Sequence, residues 1–387
     1  MKKRSKVSVA GGLGAYHNTL QSLGQISLPD LNGKKILVKP NAGRMFKPGD
    51  GVNTDPQVVA GVIDSLRERG GEKICVGESP ILGINALEAL EITGIAEVCR
   101  ERNIPLIDLD KEPPVVTPVK DGKILKSLKI CKEVHESDFI VSVPVMKTHM
   151  HTVVSLGIKN MKGCLRKREK VRLHQLERDE KVCGNYKTLD IAIADMTTIL
   201  MPDLIVLDGT VGMEGFGPST GEKKIMGIVI SGIDPHLTDA VSATLMGISP
   251  ENIPHLILSA QRFQKTIRLE DVDLVPKDAI SRWKNPFALP PREISLKYKD
   301  VVVHDYNSCS ACLSSVMLFL ERFLDVAKEY RLSDGSLHIA LGKDIRDFPE
   351  GTLLVGDCAV KHAKEGIPVK GCPPVASRIF EVLREKK

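Results

Sequence analysis

The sequence lacks both a long apolar run and a leader of the signal-peptide type. No stretch reaches the roughly 18 consecutive apolar residues that indicate a membrane helix. No basic start is followed by an apolar segment of signal-peptide length. We therefore expect a cytoplasmic protein that has no membrane partner.

Positive charge is in only small excess, and one segment accounts for it. The chain has 54 Lys and Arg against 49 Asp and Glu, a formal net charge of +5. Residues 159–181 contain nine Lys or Arg and four acids. This segment is either a solvated surface or a funnel or lid for an anionic ligand. A nucleic-acid partner is not expected, because Tyr186 is the one aromatic residue nearby and no recognised binding motif accompanies the charge.

Apolar runs alternate with amphipathic stretches, which predicts an α/β fold with mainly parallel sheets flanked by helices. Helices are predicted from Pro56, after Asp55, and over ALEALEITGIAEVCRERN (86–103). The predicted strands that end in polar residues are KKILVK (34–39), KICVGES (73–79), FIVSVPV (139–145) and LIVLDGT (204–210).

Ligands of such sheets bind outside the carboxyl ends of the strands. The candidate residues lie at those ends or in SLGIKNMKG (155–163), and they are Lys39, Asn41, Glu78, Lys147, His149, Lys159, Asn160 and Asp208. Each of them could simply end a strand in solvent. Together they suit a small carboxylate or phosphate. We assign Lys147, His149 and Glu78 to catalysis, with His149 and Glu78 as proton carriers.

A glycine-rich stretch, GTVGMEGFGPSTGEKK (209–224), has two interpretations. Its five glycines permit a loop that closes over a ligand. The alternative is a hairpin at the surface. Neither a Walker loop nor a dinucleotide fingerprint fits the spacing, so nucleotide binding is poorly supported.

Several of these motifs together resemble the domain-of-unknown-function 362 family, over roughly residues 35 to 250. The motifs are KPN (39–41), NTDP (53–56), GES (77–79), VPVMKTH (143–149), GIKNMKG (157–163) and DGTVGMEGFGP (208–218). The family is often described as iron–sulfur-associated. The resemblance implies a shared anion-binding α/β domain with the candidate residues on its motif positions, and it says little about the reaction.

Four cysteines near the C-terminus have the spacing of a metal site. Nine cysteines in a chain of 387 residues are not a disulfide framework, since small secreted domains are the ones that need disulfides. Cys309 and Cys312 form a C-x2-C after a predicted strand, Cys358 follows a later strand after 45 residues, and Cys372 comes after 13 more. If those strands are parallel neighbours, the four thiols gather at one sheet edge. In GCPP (371–374), Pro373 is expected to begin a helix whose N-terminus faces an anionic centre.

Four such thiols predict a [4Fe–4S] cluster, with structural zinc or redox-active thiols as the alternatives. The order of the cysteines resembles the flavodoxin-like, cluster-carrying part of nickel–iron hydrogenase small subunits and their relative in respiratory complex I. That resemblance is local and covers about 85 residues. It implies a small flavodoxin-like cluster domain.

We accordingly predict two domains, an anion-binding α/β domain over 1–290 and an iron–sulfur domain over 291–387, joined by a proline-rich linker at NPFALPPREI (285–294). The predicted function is an oxidoreductase that acts on a small anionic substrate with electrons from a ferredoxin-type donor. The alternatives are a cluster-dependent lyase of dehydratase or desulfidase type, and an electron-carrier or cofactor-assembly protein.

Overall fold

Short β-branched runs and capped amphipathic segments set the elements of the computed structural model, which describes residues 4–290, 298, 300–362 and 365–385. The strands are β1 (Ser5–Gly11), β2 (Lys35–Pro40), β3 (Lys73–Glu78), β4 (Leu106–Asp108), β5 (Val115–Pro118), β6 (Ser127–Ile130), β7 (Phe139–Val143), β8 (Val145–His149), β9 (Val153–Ser155), β10 (Leu204–Glu214), β11 (Glu222–Gly232), β12 (Val272–Val275), β13 (Val301–Tyr306), β14 (Leu337–Gly342), β15 (Leu353–Val355) and β16 (Ile367–Val369).

The α-helices are α1 (Ala15–Gly24), α2 (Pro56–Arg67), α3 (Ala86–Ile92), α4 (Ile95–Glu101), α5 (Lys132–His135), α6 (Gly157–Asn160), α7 (Glu169–Gln175), α8 (Glu180–Cys183), α9 (Thr188–Met196), α10 (Pro235–Leu245), α11 (Pro254–Arg262), α12 (Ala279–Trp283), α13 (Ser310–Ala327), α14 (Asp357–His362) and α15 (Ala376–Arg384). Asp55 caps α2 by accepting from Gln57 N over 2.8 Å, as the sequence predicts.

The chain divides into two compact units, Met1–Leu289 and Pro290–Lys387. Residues 291–294 of the predicted linker lie outside the described residues. The larger sheet lies in the first unit, with the strand order β12-β1-β11-β10-β7-β2-β3-β4 and with β8 and β9 attached beside β10. Its neighbours are parallel except for β1 with β11, β10 with β11, and β8 with β9. The predicted fold class, α/β with mainly parallel sheets flanked by helices, is confirmed.

The central strands of this sheet are buried on both faces. Along β2, Leu37 belongs to one apolar cluster, whereas Ile36 and Val38 belong to another. Along β10, Ile205 and Leu207 alternate with Leu204 and Val206 between the same two clusters. Because successive side chains of a strand point to opposite faces, the sheet has one core on each side. The polar residues near the carboxyl ends of β2, β3 and β8 are thereby held on a rigid support.

Two local predictions about the first unit are wrong, and a third was left open. The single helix predicted over 86–103 is two helices, α3 and α4, separated by Gly94, whose φ of 74° is left-handed. The strand predicted over 139–145 is broken at Pro144, and β8 continues it as a separate strand. Of the two interpretations of the glycine-rich stretch, the structure shows the hairpin, since β10 pairs antiparallel with β11 as far as Glu214 and Glu222.

The second unit contains a separate four-stranded parallel sheet in the order β13-β14-β15-β16. The strands predicted after 300, 337 and 352 are therefore parallel neighbours. Two details differ from the prediction. Cys358 lies in the first turn of α14, and the last helix begins at Ala376, so Pro373 precedes it. Among the described residues, no helix is long and apolar enough to cross a membrane.

Candidate functional site

Lys39 and Glu78 form a buried ion pair between two neighbouring parallel strands, β2 and β3. Their Nζ and Oε1 atoms are 2.8 Å apart, and the side chains are 1% and 2% exposed. The backbone amides of Ala42 and Ser79 each donate to the Glu78 carboxylate over 2.8 Å. Both carboxylate oxygens are occupied, so Glu78 is poorly placed for the proton transfer predicted from the sequence.

The segment GIKNMKG (157–163) closes over this ion pair. A Cβ atom at Gly163 would lie 2.6 Å from Lys39 Cε and 3.1 Å from Glu78 Oε1, so no larger residue fits without displacing the pair. Asn160 Nδ2 donates to Lys39 O over 3.2 Å and to Ser142 Oγ over 3.0 Å. Asn160 therefore holds the ends of β2 and β7 together.

Asp208 also holds the backbone. Its Oδ2 accepts from Asp55 N over 2.8 Å, and its Oδ1 accepts from the amide and hydroxyl of Thr210 over 2.9 and 2.6 Å. Burial raises the pKa of the Asp208 carboxyl to about 6. Since its oxygens are engaged within the fold, Asp208 fixes the start of α2 against β10.

Lys147, on β8, is a buried amine whose hydrogen-bond partners are uncharged. Its Nζ donates to Asn41 Oδ1 over 2.6 Å and to the carbonyl of Val52. Burial, aided by the nearby charge of Arg44, lowers the pKa of Lys147 to about 7. Asn41, predicted to bind substrate, instead orients this amine. Lys147 is therefore balanced between its charged and neutral forms near neutral pH.

His149, two residues further along β8, is buried and neutral. Its Nδ1 accepts from the amides of His151 and Thr152 over 3.1 and 3.4 Å, so its proton is on Nε2. Burial, followed by the charge of Lys159, holds the pKa of His149 well below its usual value. This environment does not fit the predicted proton carrier near neutral pH. It makes His149 a neutral hydrogen-bond donor.

Lys159, on α6, is a partly buried amine with one weak hydrogen bond. Its Nζ donates to Ser155 Oγ over 3.3 Å. Burial, followed by the charge of Lys147, lowers the pKa of Lys159 to about 7, although Asp190 acts in the opposite direction. Within the described part of the chain, neither Lys147 nor Lys159 makes an ion pair.

The structure therefore separates the eight candidates into two sets. Lys39, Glu78, Asn160 and Asp208 are engaged with one another or with the backbone. The charge of Lys147 acts on Lys159, and the charges of Lys159, Lys162 and His174 act on His149. Side chains that are cationic or that donate hydrogen bonds, and that have no acidic hydrogen-bond partner among the described residues, suit an anionic ligand.

The basic segment 159–181 is only partly a solvated surface. Arg166 Nε donates to Glu112 O over 2.7 Å, and Lys170 Nζ donates to Ser79 O over 3.0 Å. Lys167, by contrast, is exposed. The hydrogen bonds of Arg166 and Lys170 thus anchor the basic segment to the rest of the first unit. The role of the segment as a funnel or lid for an anionic ligand stays a prediction.

Three residues near this group were missed by the sequence analysis. Arg44 follows the KPN motif by three residues, and that proximity was the available signal. Asp190 and His255 come from distant helices, α9 and α11, with Oδ1 and Nδ1 3.8 Å apart. Both of these atoms are buried without a hydrogen bond among the described residues. No local pattern could have found that pair, because only the tertiary fold brings it together.

The four cysteines of the second unit follow strands of the parallel sheet, on three segments that meet. A Cβ atom at Gly356 would lie 2.8 Å from Cys312 Sγ and 3.7 Å from Gly371 O. Asp357 N donates to Gly371 O over 2.9 Å, and Gly371 N donates to Asp357 Oδ1 over 2.8 Å. The residues directly before Cys358 and Cys372 are therefore joined to each other and lie beside Cys312.

The thiols of this group also influence one another. A hydrogen bond with Cys309, burial and the negative charges of the neighbouring thiolates raise the pKa of Cys312, and Cys372 and Cys358 contribute to that effect. Iron or zinc would offset such repulsion. In the described ranges, no group of three or more His, Cys, Asp or Glu side chains has a ready metal-binding arrangement. The donor set fits a thiolate-bound metal in chemistry, and the cluster stays a prediction.

A family model described as "Domain of unknown function (DUF362)" matches residues 36–244. The chain is 27% identical over 302 residues to a thylakoid-associated protein of Synechocystis sp., covering 76% of this chain and 89% of that protein. The lactate racemase apoprotein from Thermoanaerobacterium thermosaccharolyticum superposes with a TM-score of 0.43 and 12% identity, covering 88% of this chain and 69% of the other. The predicted cytoplasmic location stays a prediction.

Proposed function

We propose that this chain, which belongs to the DUF362 family as its motifs predicted, is an iron–sulfur oxidoreductase that acts on a small anionic substrate. The first unit binds the anion, and Cys309, Cys312, Cys358 and Cys372 of the second unit hold a [4Fe–4S] cluster. Such a cluster accepts and donates electrons one at a time. An external donor of the ferredoxin type supplies them.

The observation that carries the anion site is that, among the described residues, neither the buried amine of Lys147 nor the partly buried amine of Lys159 has an acidic hydrogen-bond partner. The charge of Lys147 also raises the cost of charging Lys159. A carboxylate or phosphate placed beside either amine would favour the ammonium form of that amine. His149 adds a neutral donor on Nε2. By contrast, Lys39 is neutralised by Glu78, so it supports the site without serving the ligand.

The support for the cluster is of a different kind. Three chain segments bring their cysteines to the carboxyl edge of one parallel sheet, and the backbone beside Cys358 and Cys372 is already joined. Gly356, with a φ of 97°, permits the close approach to Cys312 Sγ. Thiolates are the ligands that iron–sulfur clusters require.

Calorimetric titration with oxalate and with inorganic phosphate tests the anion site. We expect at least one of them to bind at pH 6.5 and the neutral analogue oxamide not to bind. The variant Lys147→Met should weaken the binding about tenfold or more, since hydrogen bonds between charged groups contribute about 1.5–3 kcal/mol. Lys167→Met, which removes an exposed lysine, serves as the control. Equal affinity in both variants, or no binding by the unchanged protein, would contradict the proposal.

A further inference from the structure

Among the described residues, the amine of Lys159 has fewer hydrogen-bond and ion-pair partners than the amines of Lys39 and Lys147. Lys39 is paired with Glu78, and Lys147 donates to two acceptors. Within the described ranges, Lys159 makes one hydrogen bond, in which its Nζ donates to Ser155 Oγ over 3.3 Å. Lys159 is only partly buried, whereas Lys39 and Lys147 are buried. In the neutral amine, one N–H bond is directed to Ser155 Oγ, and the lone pair is left to face a ligand.

The surroundings of Lys159 favour the neutral amine. The charged groups that act on it are Lys147, from β8, and Asp190, from α9, and burial has the largest effect. His149, also on β8, carries no charge near neutral pH because its own pKa is depressed. A lysine that is desolvated and lies near a second cation is the standard arrangement for a nucleophilic amine.

We propose that Lys159 forms a Schiff base with an anionic carbonyl compound, of the 2-oxo carboxylate class. The inference rests on the proposed anion site, because the carboxylate must lie beside the cationic groups for the carbonyl to reach the amine. Lys147 lies directly opposite Ser155 in the pairing of β8 with β9, and Ser155 Oγ accepts from Lys159 Nζ, so Lys147 is a cation close to Lys159. The imidazole of His149 offers a hydrogen-bond donor for the carboxylate or the carbonyl oxygen.

The step balances without any further reactant. The neutral amine of Lys159 adds to the carbonyl carbon, and a proton moves from the nitrogen to the oxygen to give a carbinolamine. The ammonium of Lys147 then gives a proton to that hydroxyl, which leaves as water while the C=N bond forms. Lys147 is left neutral, the Schiff base is protonated, one water is released, and no electrons are exchanged.

Reductive trapping of the full chain tests the inference. The protein is incubated with pyruvate and sodium cyanoborohydride at pH 7, and its peptides are mapped by mass spectrometry. At this pH an ordinary lysine, with a pKa of about 10.4, is neutral in roughly one molecule in 2,500. We therefore expect the carboxyethyl group on Lys159 to form about 100 times faster than on exposed Lys167. Labelling spread evenly over the lysines, or concentrated on Lys147, would overturn the inference.

Three variants separate the reactivity of Lys159 from its accessibility. Lys159→Arg should remove the fast labelling, and Lys167→Arg should leave it unchanged. Lys147→Met should slow the labelling of Lys159 at pH 7 and restore it at higher pH, since the loss of a nearby cation raises the pKa of the remaining amine. A pH profile of Lys159 labelling that does not move in this variant would contradict the assigned role of Lys147.

Failure of this inference can be distinguished from failure of the anion site. Oxalate resembles the ligand in charge, but it has no ketone or aldehyde to trap. If oxalate binds and Lys159 is not labelled, the Schiff base is wrong and the anion site stands. If neither oxalate nor phosphate binds and Lys159 is not labelled, both proposals are wrong.

Discussion

Replacing Glu78 by glutamine should strongly destabilise the first unit. The change leaves the ammonium of Lys39 buried at 1% exposure without the carboxylate that lies 2.8 Å away. Breaking a buried ion pair by removing one partner typically costs about 3–5 kcal/mol, because the remaining charge is uncompensated. With a urea dependence of about 2–3 kcal/mol per M, the midpoint of unfolding should fall by about 1 M or more.

The assay is urea unfolding followed by the fluorescence of Trp283, the one tryptophan of the chain. Because Trp283 lies in the first unit, its signal reports on the unit that contains the ion pair. The matched control is Glu91→Gln, which breaks an ion pair with Arg100 whose side chains are 52% and 59% exposed. Water solvates both groups there, so the midpoint should scarcely move.

A double variant isolates the cause of the loss. Adding Lys39→Met to Glu78→Gln removes the uncompensated charge, and a large part of the lost stability should return. If Glu78→Gln lowers the midpoint no more than Glu91→Gln does, the ion pair is not a buried structural support. A double variant less stable than the single variant would refute the same reasoning.

Three further predictions concern the packing and the charge of the two sites. Gly163→Ala should destabilise the first unit by about 1–3 kcal/mol, because the new methyl would lie 2.6 Å from Lys39 Cε. An unchanged midpoint of urea unfolding would contradict this prediction. Gly356→Ala should reduce the iron retained per chain, since its Cβ would lie 2.8 Å from Cys312 Sγ, whereas Gly335→Ala, also at a left-handed φ but without a close neighbour, should not. Oxalate affinity should fall above pH 7, because the two amines with a pKa of about 7 lose their protons there. The affinity should fall by up to about tenfold per pH unit for each lysine that must be charged to bind oxalate. Calorimetry in buffers of different ionisation enthalpy should show proton uptake on binding at pH 8, and a pH-independent affinity would be contrary to the account.

Much of the fold follows from local signals in the sequence. The end of β2, the extent of β3 and the start of α2 were predicted from apolar runs and from the Asp55-Pro56 cap. These signals act within a few residues, so they can be read directly. The left-handed Gly94, which divides α3 from α4, is also local in cause, although its residue type alone does not show which conformation it adopts.

Long-range pairing explains most of what the sequence did not show. The glycines between Gly209 and Gly221 left a closing loop and a hairpin open, and the pairing of β10 with β11 gives the hairpin. Similarly, Lys39 and Glu78 were both expected to face a ligand. They face each other because β2 and β3 became neighbours, and the order of strands in the sheet could not be deduced from their motifs.

The local environment determines the protonation of His149, Lys147 and Lys159. The sequence predicted a proton carrier at His149, since an unperturbed imidazole titrates near neutral pH. Burial and the charge of Lys159 remove that property. The same burial gives Lys147 and Lys159 the neutral-pH titration that their residue type does not indicate.

The most direct test of the proposed function is the iron and acid-labile sulfide content of protein purified without oxygen, with electron paramagnetic resonance spectra before and after dithionite. The account predicts roughly four irons and four sulfides per chain and a signal that changes on reduction. Both should be lost in Cys312→Ser and kept in Cys75→Ser, which alters a thiol of the first unit. Zinc in place of iron, or no metal at all, would contradict the account.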